Sequence, residues 1–316
     1  MTELQRGQSN LGSGPCEDQQ EILGPDGRSF GMLSIEQLDH YQEQGYTVCP
    51  GFLKPSEIAS ILADIESICS GATLVSHEAS RMEMEPKQGP SGRLVRRIYE
   101  PCTYYPRFRA LSESHELLDC VEQLLGPNLC FHYSKINMKP PGIGSVVEWH
   151  QDLAYYPLTN RDSLAVLFYL DDANPRNGCL RVIPNCHLGP PMDHTANGFF
   201  QGRISEPLDE SKAVPLEAKA GTAIFLHGMT PHASAPNTSS RARRTLILSY
   251  RAADAFPIYV GEASKDFEAH VRLVRGEQLR LARLTAGTFP IPSFPRKTKS
   301  LYELQEISRS GQRVRV

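Results

Sequence analysis

The stretch "TAIFLHGMTPHASAPNTSSRARRTLILSYRAADA", Thr222 to Ala255, holds two apolar runs of strand length separated by a segment rich in Pro, Ser, Ala and Asn. Runs of β-branched and aromatic residues bounded by turn formers read as strands. A strand leads in, a loop carries His232, and a second strand carries Arg243. The same punctuation recurs upstream in "LCFHYSKINMK", "SVVEWHQDL", "SLAVLFYLDD", "GCLRVIP" and "KAVPLEAK". These short strands, between about Cys130 and Ala253, have the spacing of a sandwich or jelly roll and predict a mainly β core.

The flanks have helical period. In "LSIEQLDHYQEQG", Ser34 and Gln37 have the spacing of a capping box and Gly45 can close the helix. A short strand, "YTVCPGF", follows. In "KPSEIASILADIESIC", Ile58, Ile61, Leu62, Ile65 and Ile68 recur on one helical face, with Pro55 in the first turn. A third helix is expected in "SHELLDCVEQLLG", ending at Gly126, and a last one in "SKDFEAHVRLVRGEQLRLAR". Residues 1–32, rich in Gly, Ser and Gln, have the composition of a flexible arm. Residues 33–290 then form one domain with helices before and after the β core. Residues 291–316, which include most of the basic, Pro-rich "FPIPSFPRKTKS", are expected to be an exposed extension.

Bulk properties narrow the function. The 316 residues carry 33 Lys and Arg against 36 Asp and Glu, a net charge of -3. Such a balance leaves no basic footprint for nucleic acid or an anionic membrane, and a small-molecule partner is expected. The eight cysteines are dispersed without any C-x-x-C. That argues against a zinc ribbon or a dithiol redox pair, and for reduced thiols in the cytoplasm. The first residues lack the basic start and apolar run of a secretory signal. No segment approaches the roughly 18 consecutive apolar residues of a membrane span.

The chemistry begins at "EWHQDLAYYP", Glu148 to Pro157. On a strand, residues two apart share a face, so Glu148, His150 and Asp152 point one way and Trp149, Gln151 and Leu153 the other. One histidine and one carboxylate make a weak metal site, and a third ligand is needed. Two candidates stand in the opening stretch, His227 and His232. Two histidines and one carboxylate occupy one face of an octahedral ion and leave adjacent positions open, the arrangement of non-haem Fe(II) oxygenases. The competing reading is a hydrogen-bonded polar cluster in a catalytically inert jelly roll.

Taken together, "WHQDLAYYP", "NGCLRVIPNCHLGP", "GTAIFLHGMTPHASAPN" and "RRTLILSYRAADA", in that order, closely resemble the phytanoyl-CoA dioxygenase family of Fe(II)- and 2-oxoglutarate-dependent oxygenases. The resemblance spans roughly Leu33 to Phe256 and implies a double-stranded β-helix, the jelly roll of cupin-like proteins. It implies His150, Asp152 and His232 as iron ligands, the "HASAPN" context favouring His232 over His227. It implies Arg243 as the cation gripping the far carboxylate of 2-oxoglutarate, with Ser234 beside it and Arg244 facing away. Lys135 and Asn137 are candidates for lining the cosubstrate pocket, and Leu167 and Phe168 compete for one further position there. The implied reaction consumes 2-oxoglutarate and O2 and hydroxylates an aliphatic C–H bond of a small or medium-sized molecule, with release of succinate and CO2. Retention of Asp152 disfavours halogenation, because related halogenases lack the carboxylate ligand. A non-catalytic cupin-like protein holding zinc is the alternative from another class.

Two departures from the family pattern stand out. "IPNCH" replaces the usual "IPGSH", and "HASAPN" replaces "HGSGPN". His187, in "PNCHLGP", reads as a structural histidine, and Trp149 as core. Tyr155 and Tyr156, just after the H-x-D motif, are candidates for substrate contact. So is Arg97, within the arginine- and tyrosine-rich run from Arg93 to Arg109, which could cover the mouth and pair with an anionic group.

Overall fold

The structure is a computed structural model and describes residues 32–258, 268–285, 287–289 and 301–310. In chain order the elements are α1 (Ile35–Gln44), β1 (Tyr46–Cys49), α2 (Pro55–Cys69), β2 (Met82–Met84), β3 (Val95–Tyr99), α3 (Pro101–Tyr104), α4 (Pro106–Ser112) and α5 (His115–Leu125). The β core follows as β4 (Leu129–Lys139), β5 (Val147–His150), β6 (Ser163–Tyr169), β7 (Leu180–Val182), β8 (Thr195–Ala196), β9 (Phe199–Phe200) and β10 (Val214–Leu216). It is completed by β11 (Ala223–His227), β12 (His232–Ser234), β13 (Arg243–Ala252) and β14 (Arg272–Arg275), and α6 (Leu301–Arg309) comes last.

Two antiparallel sheets face each other as a jelly roll. The larger has the order β1-β11-β6-β13-β4-β3-β2, with β14 also on β4; the smaller has the order β10-β7-β12-β5. The seven residues of β6 are all buried, because both faces of this central strand are covered. Leu164, Val166 and Phe168 face the apolar layer that includes Ile58, Ile61 and Ile65 of α2 and Leu117 and Val121 of α5. Ala165, Leu167 and Tyr169 face inward, against Leu180, Val182 and Leu216 of the smaller sheet. The alternation of one strand thus separates a structural core from the interior where a ligand can sit. Helix α1 carries the reciprocal Ser34–Gln37 capping box and ends at Gly45, whose φ of 80° suits a residue without Cβ.

Four expectations are corrected. The strand "SVVEWHQDL" stops at His150, and Asp152 opens a 3-10 turn, Asp152–Ala154, instead of continuing the strand. His232 lies on a short strand, β12, not in a loop. Within the described part of "SKDFEAHVRLVRGEQLRLAR" only Glu268 is helical: Arg272–Arg275 pairs antiparallel with β4, and Gly276, at φ 72°, ends it. Partners override the helical pattern there, since Arg272 stacks on Phe131 at 4.0 Å and Arg275 reaches both Asp119 and Glu122 of α5. Residues 264–267 of that stretch lie outside the described residues, as do residues 1–31 of the expected arm.

The fourth correction concerns the expected exposed extension, of which residues 291–300 and 311–316 lie outside the described residues. Leu301–Arg309 forms α6 and packs back on the core, with Tyr302, Leu304 and Gln305 buried. Gln305 accepts from the Glu148 N–H at 3.1 Å and donates to the Gly202 carbonyl at 2.6 Å, and Tyr302 stacks on Arg96 and Arg97 at 4.3 and 4.7 Å. Among the described residues no helix is long and apolar enough to cross a membrane.

Candidate active site

The pairing of β12 with β5 sets His232 directly opposite His150, and the turn after β5 brings Asp152 under both. The rings lie 4.1 Å apart by centroid, and Asp152 Oδ1 lies 3.6 Å from His150 Nε2 and 3.8 Å from His232 Nε2. All three side chains are buried, and their ligand atoms fall within 4.8 Å of one another.

The backbone fixes how each ring presents itself. His150 Nδ1 lies 2.8 Å from the Glu148 carbonyl and His232 Nδ1 lies 3.0 Å from the Thr230 carbonyl. A carbonyl only accepts, so both Nδ1 atoms carry the proton and both Nε2 lone pairs turn toward Asp152. Burial, with His150 adding to it, pushes His232 down to about 3, so the ring is neutral. Burial works against the Asp152 carboxylate, yet its neighbours His232, His150 and Lys135 hold it below the usual carboxylate range. Two imidazole Nε2 atoms and a carboxylate form the donor set of a divalent first-row metal, and the residues fit ferrous iron.

Two cavities meet at these ligands. The first is a narrow slot between the sheets, lined by Leu167, Tyr169, Leu180, Ile247 and Val147 with Arg243, Thr245, Ser234, Asn137 and Lys135 among the polar groups. Its floor follows sheet register. One row across β3, β4, β13 and β6 reads Arg97, Asn137, Thr245, Tyr169, and the next reads Tyr99, Lys135, Ile247, Leu167. Leu167 therefore lines the slot, while Phe168 belongs to the layer beneath the helices.

Arg243 is buried in the slot and forms no ion pair among the described residues. Its Nη1 donates to Thr245 Oγ1 at 2.7 Å, its Nη2 donates to the Gly178 carbonyl, and its Nε has no partner among the described residues. Gly178 is required here: at φ 76°, a Cβ would stand 2.3 Å from the Ala235 carbonyl oxygen. A buried guanidinium without a counter-ion is a site prepared for a carboxylate. Lys139, also buried, donates to the Ser145, Ser234 and Ala235 carbonyls and ties β4 to the strand bearing His232.

The second cavity, about 390 Å³, is lined by Arg97, Glu100, His132, Tyr133, Lys135, Tyr155, Tyr156 and His270 together with His150 and Asp152. Tyr155 packs edge-on against His150 at 5.5 Å and donates to the Gly202 carbonyl at 2.5 Å. Glu100 has a left-handed backbone, φ 48°, and its carboxylate accepts from the Ser134 N–H at 3.0 Å and from its hydroxyl at 3.3 Å. Burial pushes the Glu100 carboxyl up to about 7. Burial lowers the Lys135 ammonium to about 8, against the pull of Asp152.

The remaining candidates fall elsewhere. Arg244, next to Arg243, turns outward into a paired contact with Asp171 at 2.6 and 2.9 Å. His227 is half-buried against His187 and Tyr41, away from the three ligands, and its Nδ1 accepts from the Met229 N–H. His187 Nε2 lies 3.0 Å from the Gln42 carbonyl and serves packing. Trp149 packs with Ile183, Ile204 and Ala233. Asn185, where the family pattern has glycine, has φ 59°, a conformation that asparagine tolerates better than most residues. Thr245, Tyr169, Glu100 and Tyr302 were not foreseen as site residues. Strand alternation from Arg243 could have found Thr245, and the others carry no local signal.

The sequence model of the family described as phytanoyl-CoA dioxygenase (PhyH) matches residues 41–245. A relative from Stutzerimonas stutzeri named "Probable alpha-ketoglutarate-dependent hypophosphite dioxygenase" is 35% identical over 267 residues, 82% of this chain and 92% of its own length. The methylphosphonate hydroxylase of Gimesia maris is 28% identical over 255 residues, 80% of this chain and 94% of its own. The crystal structure of EctD from S. alaskensis with bound Fe shares the fold, with a TM-score of 0.60 at 21% identity over 81% of this chain and 88% of that one. The match to the family model and the identity to the first relative lead to one conclusion: the chain belongs to the phytanoyl-CoA dioxygenase family.

Proposed function

We propose that the chain is an Fe(II)- and 2-oxoglutarate-dependent dioxygenase that hydroxylates a small or medium-sized organic molecule. Substrate R–H, 2-oxoglutarate and O2 give R–OH, succinate and CO2. The observation that carries this reading is the meeting of His150, Asp152 and His232, with both Nε2 atoms turned toward Asp152, beside the buried Arg243, which has no ion pair among the described residues. The relatives named for hypophosphite and methylphosphonate chemistry support the dioxygenase class.

His150, Asp152 and His232 would hold the iron through Nε2, a carboxylate oxygen and Nε2. Iron, when bound, supplies the oxygen activation that couples decarboxylation of 2-oxoglutarate to hydroxylation. The protein binds, orients and excludes. Arg243 grips the far carboxylate of 2-oxoglutarate, Thr245 and the Gly178 carbonyl hold its guanidinium in place, and Ser234 borders the same end. Leu167, Ile247, Leu180 and Val147 form dry walls that keep water from the chain of the cosubstrate. Tyr155 and Tyr156 face the substrate in the second cavity. The carboxylate of Asp152 fits hydroxylation and not halogenation, because it fills the position a halide would take. The seven cysteines among the described residues are thiols, which suits a reducing compartment, the cytoplasm.

The test is a substrate-library screen for succinate formation, with His150→Ala as the blank. Turnover that disappears in the variant supports the reading. Succinate formed equally by both proteins contradicts it.

A further inference from the structure

Where the second cavity meets the cosubstrate slot, two cations that form no ion pair among the described residues, Arg97 and Lys135, border both. Arg96 and Arg97 are neighbours on β3. Arg96 is neutralised by Glu83 at 2.7 Å. Arg97 turns to the other face, where its Nε is held by Asn137 Oδ1 at 2.9 Å and its buried Nη2 has no hydrogen-bond partner among the described residues. Lys135, one strand over, meets the Tyr133 hydroxyl at 3.4 Å and forms no ion pair among the described residues. Both side chains line the 390 Å³ cavity beside His150 and Asp152.

From these residues we infer that the substrate is a small acid, and that Lys135 and Arg97 hold its oxyanion head in the second cavity while its apolar part lies toward His150 and Asp152. The inference rests on the dioxygenase reading above and names the substrate class for that site.

Charge counting supports it. A ferrous ion beside the Asp152 carboxylate leaves one positive charge, Arg243 adds another, and the two carboxylates of 2-oxoglutarate cancel both. Lys135 and Arg97 are then left over. Glu100 shares the cavity, but it already accepts two hydrogen bonds from Ser134, and burial keeps a large part of its carboxyl protonated near neutral pH. A pair of partly buried cations is costly without an anion, so the arrangement stores recognition for a ligand that brings one. The geometry of the head is set in advance. Asn137 and the ring of Tyr302 fix the plane of the Arg97 guanidinium, which presents a planar fork suited to two oxygens of one acid group. Tyr133, Tyr155, Tyr156 and His132 wall the rest and suit a short carbon portion.

The shared chemistry is an acid group with at least two equivalent oxygens, which a phosphonate or a carboxylate supplies. The experiment measures binding by calorimetry, anaerobically, to the full-length protein loaded with Fe(II) and 2-oxoglutarate. The probes are n-alkylphosphonates and n-alkylcarboxylates of one to about eight carbons, a range suited to such a cavity, and the methyl esters of each. Charge-assisted hydrogen bonds of about 1.5–3 kcal/mol predict that one acid series binds ~10- to 100-fold tighter than its esters. Whichever series does so identifies the head group. Lys135→Met and Arg97→Met each weaken that acid by ~10-fold or more, with the esters unaffected. Each variant is titrated at 2-oxoglutarate concentrations that saturate it, which separates substrate recognition from any effect on cosubstrate binding. Esters that bind as well as acids, no binding by either series, or a Lys135→Met effect on 2-oxoglutarate alone would each overturn the inference. Failure of the dioxygenase reading looks different, because the wild-type protein would then not assemble with Fe(II) and 2-oxoglutarate at all.

Discussion

His150 and His232 face one another directly across two antiparallel strands, and each gives its Nδ1 proton to a backbone carbonyl two residues earlier in its own chain segment. This shared device fixes both tautomers without any side-chain partner. Replacing either histidine by alanine removes a ligand outright. The expected loss of iron affinity and turnover exceeds the ~10- to 100-fold that second-layer partners of metal ligands usually contribute. Equilibrium dialysis against Fe(II) checks it, and unchanged iron content in both variants would count against the ligand assignment.

Arg243 and Arg244 are adjacent and opposite in fate. Arg243→Gln leaves the slot without its cation, and truncating one partner of a buried charge pair costs about 2–5 kcal/mol. The 2-oxoglutarate concentration at half-saturation should rise by about 30-fold or more. Arg243→Lys should recover only part of this, since an ammonium cannot reproduce the bonds to Thr245 and Gly178 together.

Arg244→Gln provides the contrast. It breaks only the partly exposed pair with Asp171, and such pairs contribute at most about 1 kcal/mol to stability. Turnover and cosubstrate saturation should match the unaltered protein in steady-state assays, and a large cosubstrate effect would reverse the assignment of the two arginines.

Much of this arrangement is legible in the sequence, and the limits have physical causes. The strands β4, β6, β11 and β13 announce themselves because they are long and carry β-branched or aromatic residues between turn formers. Arg243 is separable from Arg244 because a strand alternates. β3 is hidden, since "VRRIY" reads as a charged surface until Arg96 finds Glu83 and Arg97 finds Asn137, 40 positions away. β12 has three residues and is held by pairing with β5 and β7, not by its own propensity. α6 looks like a polar tail because its buried partners, Arg96, Arg97, Glu148 and Gly202, are all distant in sequence.

That last element yields a prediction of its own. Tyr302→Ala removes a buried ring from between two arginines, and removal of a buried aromatic side chain typically costs ~3–5 kcal/mol. Denaturant unfolding should show a loss of about this size if α6 unfolds together with the core. A change below about 0.5 kcal/mol, the usual range for surface substitutions, would mean that α6 is not part of the cooperative unit.

Glu100 predicts a pH dependence. Its carboxyl is raised by burial from the ordinary 4.5 to about 7 in the folded protein. The native state therefore binds a proton more tightly than the unfolded chain, and the contribution of this group to stability falls as pH rises between those values. Glu100→Gln removes that slope, so the variant should gain stability relative to the unaltered protein as pH rises from about 5 to 7. Thermal unfolding across this range checks the sign, and a relative loss would contradict it.

The central claim is that His150, Asp152 and His232 hold an iron that 2-oxoglutarate joins in the slot ending at Arg243. Anaerobic addition of Fe(II) and then 2-oxoglutarate, followed by visible absorption, tests it most directly. The account predicts a weak charge-transfer band that saturates at one iron per chain, is lost in His232→Ala, and in Arg243→Gln forms only at far higher 2-oxoglutarate. No band in the wild-type protein, together with tightly held zinc, would contradict it.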